Sequence, residues 1–404
     1  MSRIVTLSAR RVYDSRGVAT VETTVTTESG AVGQVAAPSG ASTGAHEVQA
    51  LPEGGVSKAL REVAERVRPR LLGVEVADQV GVDARLHESD GTPDFSAIGG
   101  NTATAVSLSV AIAHASEARR PLWQVLARPG VRGTVFPAIV GNCLNGGRHA
   151  IGGPDIQEFH AISSAKDPSD SVRAALEVHK VVGETLHARW PTHALGRGDE
   201  GGWVAPVGNL EALEILSEAC RTVRDRLKLP VAPGLDLAAS EFYRDGKYRY
   251  REQALDAEGQ LDFLVGLVDR FGLTYLEDPF DEEDFDSFGK LTRAVGTKAM
   301  VVGDDLFTTR LSRLRTGVDR KATNSILIKV NQVGTLTDTF ETVDFARSSG
   351  LTTVASHRSG DLPEGWLSHL AVGIGAAGLK CGLLGGERAA KLNELLRLGG
   401  AHEG

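Results

Sequence analysis

Residues 324–332, NSILIKVNQ, place a lysine inside an apolar run. Ile326, Leu327, Ile328 and Val330 form the β-branched stretch expected of a strand buried on both faces, with Lys329 in its midst. A buried ammonium is costly unless it is paired, and burial lowers its pKa. Lys329 is therefore either a structural ion-pair partner or a base able to work near neutral pH. Its companions along the chain favour chemistry. Glu277 and Asp278, Asp304 and Asp305, His357 and Arg358, and Lys380 each stand at the end of a short apolar run, and these ends recur roughly every 23 to 28 residues. That is the spacing of successive βα units, whose strand ends converge on one mouth in a (β/α)8 barrel.

Three acids in this series have the character of metal ligands. Asp236 (GLDLA), Glu277 (YLEDP) and Asp304 (VVGDD) each follow an apolar run. Any one alone reads as a cap for the next helix; three in succession offer the all-oxygen donor set that suits Mg2+. Glu158, in DIQEF, and Glu200, in GDEGG, are two further carboxylates in tight motifs, the second among glycines that let backbone approach a ligand closely. His149 and His357 sit in loop-like contexts beside glycine or serine. Arg358 and Ser359 together suit a phosphate, because a guanidinium fork matches phosphate oxygens, and Lys380 adds a second positive charge.

The elements that must position these groups can be read on both sides of a break. From Ile4 to about Ala37 the pattern is strand-like, with a turn at Glu28-Ser29-Gly30, and a Gly/Ser-rich loop follows at 38–44. Helical periodicity then covers 56–72, 76–86 and 102–118, the last with Asn101 as its expected N-cap. This makes residues 1–125 an α+β domain. The Pro/Gly-rich stretch 127–133 punctuates the chain, and in 136–404 apolar strand candidates alternate with amphipathic helix candidates at 170–188, 210–227, 260–271 and 336–349. The fold class is α/β, with a C-terminal barrel. With 404 residues there is material for two domains and a large core, and 41% apolar with 24% charged residues is ordinary for a globular protein. A net charge of −8 argues against nucleic acid as a partner. Three scattered cysteines suggest reduced thiols, and neither a signal peptide nor a membrane-spanning run is present, so the expected location is the cytoplasm.

Taken in order, DSRG (14–17), PSGASTG (38–44), NGGRHA (145–150), DIQEF (155–159), GDEGG (198–202), LDLAASEFY (235–243), LEDP (276–279), GDDLF (303–307), NSILIKVNQ (324–332) and SHRSG (356–360) resemble the enolase family from end to end. A lysine base with Mg2+ holding an enediolate is the pattern known for enolase-superfamily sites. The resemblance implies that Lys329 takes the C2 proton of 2-phosphoglycerate, and that Glu200 with Glu158 assists departure of the C3 hydroxyl. It implies two Mg2+ ions, the first held by Asp236, Glu277 and Asp304, the second joined by Ser42 as its loop closes. Lys380 would bind the substrate carboxylate region and Arg358 and Ser359 the phosphate. Gln157 would help bind substrate, with His149 and His357 near the reacting end. The implied barrel has slightly irregular topology, and the implied assembly is a homodimer or larger homo-oligomer acting on a small anionic substrate.

Departures from the family pattern fall around the site. Residues 45–54 are shortened, Arg148 replaces a small or neutral residue, and 151–154, 361–366 and 381–388 are remodelled. They raise a second expectation, a specialised homologue of the carboxyphosphonoenolpyruvate synthase type, with Arg148 touching a second anionic co-substrate.

Overall fold

In the computed structural model, which describes residues 2–41, 44–133 and 135–400, the chain opens with three antiparallel strands, Ile4–Tyr13, Ala19–Thr27 and Val32–Ala36. Their β-branched residues alternate, so Val21, Thr23 and Val25 are fully buried while Glu22 and Thr24 between them are less so. The helix Gly100–Ala118 lies across this sheet. The approach is close enough that a Cβ on Gly33 would stand 1.9 Å from the Ser109 carbonyl oxygen, a position only glycine can hold. Two expectations need correction here. Asn101 is not the cap of this helix: Gly99 occupies that place, and Asn101 turns inward to donate its Nδ2 to Thr20 Oγ1 at 3.1 Å. The helix expected over 76–86 runs Gln79–Asp90, because Asp78 accepts from the Gly81 N–H and fixes the start there.

Eight strands close the barrel: Ala138–Asn145, Glu158–Ser163, Val231–Asp236, Tyr275–Glu277, Met300–Gly303, Ser325–Ile328, Thr352–Ser356 and Gly378–Gly382. The second runs antiparallel to both neighbours, so the barrel begins with a hairpin instead of a βα unit, and all other strand pairs are parallel. Helices Pro168–Arg189, Asn209–Leu227, Ala257–Phe271 and Leu336–Ser348 pack outside it.

A separate apolar cluster of Val140, Ile162, Tyr275, Val302, Leu327 and Val354, drawn from six different strands, fills the barrel interior. Side chains on a strand return to the same face every second residue. Two steps beyond this layer therefore point Asn142, Glu277, Asp304, Lys329 and Ser356 into the mouth, and the same step from Gly234 and Gly378 places Asp236 and Lys380 there. In the reversed strand the count runs backwards, from Ile162 through His160 to Glu158. The apolar floor thus dictates where the polar groups stand.

The N-terminal unit is fastened to the barrel at the rim. Ser39 and Gly360 exchange two backbone hydrogen bonds of 2.8 Å, and the Ser15 N–H donates to the Asp361 carbonyl. Farther out, buried Asp83 accepts from the Thr337 N–H (2.9 Å) and hydroxyl (2.6 Å) at the start of Leu336–Ser348. Asp83→Ala leaves those half-buried donors without their acceptor, a cost of about 1 kcal/mol. The expected result is a lower Tm in thermal unfolding followed by circular dichroism; an unchanged Tm would show that Thr337 finds another acceptor.

Candidate active site

Lys329 follows the sixth strand directly, with Val330–Gln332 forming one 3-10 turn after it, so the lysine ends its strand instead of lying within it. Its Nζ pairs with Asp304 Oδ2. Burial acts most strongly, to lower the lysine's pKa, but the Asp304 charge together with other carboxylates including Glu277 leaves it above the ordinary value. The lowered pKa expected for this group is therefore not found, because the strand beside it supplies an anion. Asp304 is in turn fixed by Gln332, whose Nε2 donates to Oδ1 at 2.9 Å, and by Asp278, whose carboxylate accepts the Asp304 and Asp305 N–H groups at 2.9 and 2.8 Å. Asp278 does this from a left-handed backbone position, φ 40°, a strained conformation for a residue with a side chain.

Asp236 is the register partner of both Glu158 and Glu277, so three carboxylates from strands two, three and four stand side by side. The Lys380 ammonium lies over them, 2.6 Å from Glu277 Oε1, 2.8 Å from Asp236 Oδ2 and 3.5 Å from Glu158 Oε1. Burial, then the Asp236 charge, pushes the Glu277 carboxyl up to about 8. Burial opposes ionisation of Asp236 too, yet Lys380 holds it below the usual range. Two tight groupings of metal-capable atoms occur among the described residues, Asp278 with Asp304 and Asp305, and His149 with Glu158 and Glu200. Asp236, Glu277 and Asp304 share the mouth without forming one such grouping, because Lys380 engages the first two and Lys329 the third. Their donor chemistry nonetheless fits Mg2+: they are oxygen-only and buried, and burial with the Asp236 charge already disfavours ionisation of Glu277, which a cation would restore. Ser42 lies outside the described residues.

Across the mouth, Glu158 and Glu200 are both bonded by Asn142 Nδ2, at 2.9 and 3.4 Å. His357 Nε2 lies 2.9 Å from Glu200 Oε2, and His149 Nδ1 lies 3.6 Å from Glu158 Oε1 and 3.9 Å from Glu200 Oε1. The environments drive the two carboxylates apart. Burial, then the Glu200 charge, pushes Glu158 well above the usual range. Burial works the same way on Glu200, but His357 and His149 outweigh it and hold Glu200 well below. Two adjacent titratable groups separated in this way are what general acid–base work requires.

Arg358 is fully engaged in this structure. Its two terminal nitrogens meet the Glu47 carboxylate at 3.0 Å each, and Nη1 also reaches Asn331 Oδ1 at 3.0 Å. Ser359 Oγ accepts from the Ala41 N–H at 2.6 Å. Gln157 is buried, and its Oε1 has no hydrogen-bond partner among the described residues, as befits a group facing a polar ligand. His149, Gln157, Glu158, Glu200, Asp236, Asp304, Lys329, His357, Arg358, Ser359 and Lys380 line one polar cavity, and Glu277 lies behind Lys380.

Sequence reasoning did not single out Asn142, Glu47, Asn331 or Arg388. Asn142 interrupts an otherwise apolar strand segment, and that signal was available. The others are recognisable only from partners distant in the chain.

Comparison with known proteins accords with this geometry. Residues 4–126 match the family model described as "Enolase, N-terminal domain", and residues 133–402 the one described as "Enolase, C-terminal TIM barrel domain". A protein named "Enolase" from Halorubrum lacusprofundi is 45% identical over 401 residues, covering 98% of this chain and 99% of its own length. One from Methanothermobacter thermautotrophicus is 45% identical, covering 96% and 94%, and one from Picrophilus torridus is 39% identical, covering 96% of each. Nothing in these matches favours the phosphonate branch. Arg148, its suspected marker, is largely exposed and paired with Glu241 Oε2 at 2.7 Å.

Proposed function

The chain belongs to the enolase family and is an enolase-type lyase, and on that premise we propose that Lys329 takes the C2 proton of 2-phosphoglycerate while Glu200, with Glu158 beside it, assists departure of the C3 hydroxyl to give phosphoenolpyruvate. One observation carries the assignment. Lys329 follows the sixth strand and Glu158 starts the second, so three strands lie between them on either side of the barrel and they face each other across the mouth. A base on one side and a proton donor on the other suit loss of a proton and a hydroxide from adjacent carbons.

Arg358 and Ser359 would hold the phosphate, the Arg358 fork exchanging Glu47 for the ligand. Lys380 and Gln157 would bind near the substrate carboxylate, and His149 and His357 would orient the carboxylate pair. Asp236, Glu277 and Asp304 would hold the first Mg2+, and Ser42 would join the second. When bound, Mg2+ supplies positive charge against the substrate carboxylate as C2 becomes electron-rich. We take 1–125 and 136–404 as the two domains. A homodimer or larger homo-oligomer follows from the family resemblance alone. No described helix is long and apolar enough to cross a membrane; a cytoplasmic location is supported by three buried, free cysteines.

The deciding assay follows phosphoenolpyruvate by ultraviolet absorbance after mixing protein, Mg2+ and 2-phosphoglycerate. Turnover on the order of 10 per second or more is expected. Chelation should abolish it and added Mg2+ restore it. No product at any Mg2+ concentration would overturn the reading, and turnover persisting under exhaustive chelation would remove the metal from it.

A further inference from the structure

Behind His357 lies a guanidinium that the proposed chemistry leaves idle. Arg388, on the helix Gly386–Gly400, is completely buried. Its Nη1 is 2.6 Å from His357 Nδ1, 2.7 Å from the Arg358 carbonyl oxygen and 3.3 Å from Asp361 Oδ2. Its Nη2 donates to the carbonyls of Ser359 (2.6 Å) and Asp199 (3.1 Å). The backbone N–H of Gly382 approaches the same His357 Nδ1 at 3.4 Å.

Neither a guanidinium nor a backbone N–H can accept a hydrogen bond. With two donors aimed at it, Nδ1 must present its lone pair, and the proton of the neutral ring resides on Nε2. That nitrogen faces Glu200 Oε2 at 2.9 Å, so it donates to the carboxylate. We propose that Arg388 is a positioning residue which locks His357 in the Nε2–H tautomer, so that His357 and Asn142 together hold Glu200 Oε2 and leave Oε1 facing the reacting group. Through Asp199 and Ser359 the same side chain ties the loop carrying Glu200 to the loop carrying Arg358. Burial, supported by the Arg388 charge, lowers the His357 pKa to about 4, consistent with a neutral donor at Glu200. Of the two acidic partners of Arg388, Asp361 keeps Lys391 at 3.0 Å if the guanidinium is removed and Glu387, 3.3 Å from Nε, is partly exposed, so the loss does not strand a buried carboxylate.

The inference rests on Glu200 acting at the leaving hydroxyl, and the test separates the two. In wild-type protein labelled with 15N-histidine, the His357 signals are those absent from His357→Asn. They should show an unprotonated Nδ1 and a protonated Nε2; a proton on Nδ1 overturns the proposal whatever the activity. Arg388→Met should lose the tautomer preference and lower kcat about 10- to 100-fold, the usual cost of removing an orienting partner, with KM for 2-phosphoglycerate little changed. Arg388→Lys, which retains a donor, should recover both tautomer and much of kcat. Arg388→Met that keeps the Nε2–H tautomer, or keeps wild-type kcat, overturns it. Failure of the wild type to dehydrate 2-phosphoglycerate would remove the role of Glu200 without moving the tautomer.

Discussion

Replacing Lys329 by alanine is expected to lower kcat for phosphoenolpyruvate formation by about a thousandfold or more, and to abolish exchange of the C2 proton with solvent. A positioned general base contributes roughly 10²–10⁴ in rate, and Lys329 also carries one of the two ammonium charges at the mouth. The variant should still fold. Lys329 is packed above the apolar floor, and Asp304, its partner, keeps the Gln332 Nε2–H at 2.9 Å. Far-UV circular dichroism checks the fold, and loss of deuterium from C2-labelled 2-phosphoglycerate checks the step. Exchange at the wild-type rate would exclude Lys329 as the base. Exchange that disappears together with the helical signal would be loss of fold, and Lys329→Met, which retains the aliphatic stem, then serves as the informative variant.

Glu200→Gln should produce the complementary phenotype. Glutamine has the shape of the acid and can still meet Asn142 and His357, so the barrel and the Lys329 side of the mouth are undisturbed. It cannot take a proton from Glu158, whose carboxyl burial keeps protonated, and pass it to a departing hydroxyl. Net dehydration should therefore fall about 10²–10⁴-fold, while C2 exchange, which needs only the base side, remains measurable. The contrast between the variants carries the information: one loses exchange and dehydration, the other dehydration alone. If Glu200→Gln lost exchange as severely as Lys329→Ala, the two groups would not be serving separate halves of the reaction. Wild-type dehydration in Glu200→Gln would pass the acid role to Glu158, whose carboxyl burial already holds in the protonated range.

Much of this site was legible because the barrel writes its functional groups in a regular place. A charge closing an apolar run, repeated from Glu277 to Lys380, marks strand ends even when nothing is known of their pairing. The direction of a strand is not marked in that way. Residues 158–163 (EFHAIS) are all buried and read no differently for being reversed, and only their pairing with Val231–Asp236 makes them antiparallel. Charge state was equally hidden. Burial of Lys329 could be inferred from its neighbours in sequence, but the charge that counters that burial comes from Asp304, 25 positions away and adjacent only once the strands pair. Asn101 shows the same limit at small scale, since a residue suited to capping was taken instead by a buried hydroxyl on Thr20.

The reversed second strand also determines where the rim can be rewritten. Elsewhere around the barrel a mouth segment leads outward, so a change in its length would drag on an outer element. Residues 146–157 instead leave the first strand and return to its hydrogen-bonded neighbour, and six residue pairs from Ile139↔Ser163 to Asn145↔Glu158 hold that hairpin in register. Gly146 and Gly147 pin the base of the turn through backbone bonds to Gln157 and Pro154, while Ile151 at its tip is fully exposed. Residues could be inserted or removed at that tip, by evolution or by design, and the opening above Glu158 would change shape while every strand of the barrel stayed where it is.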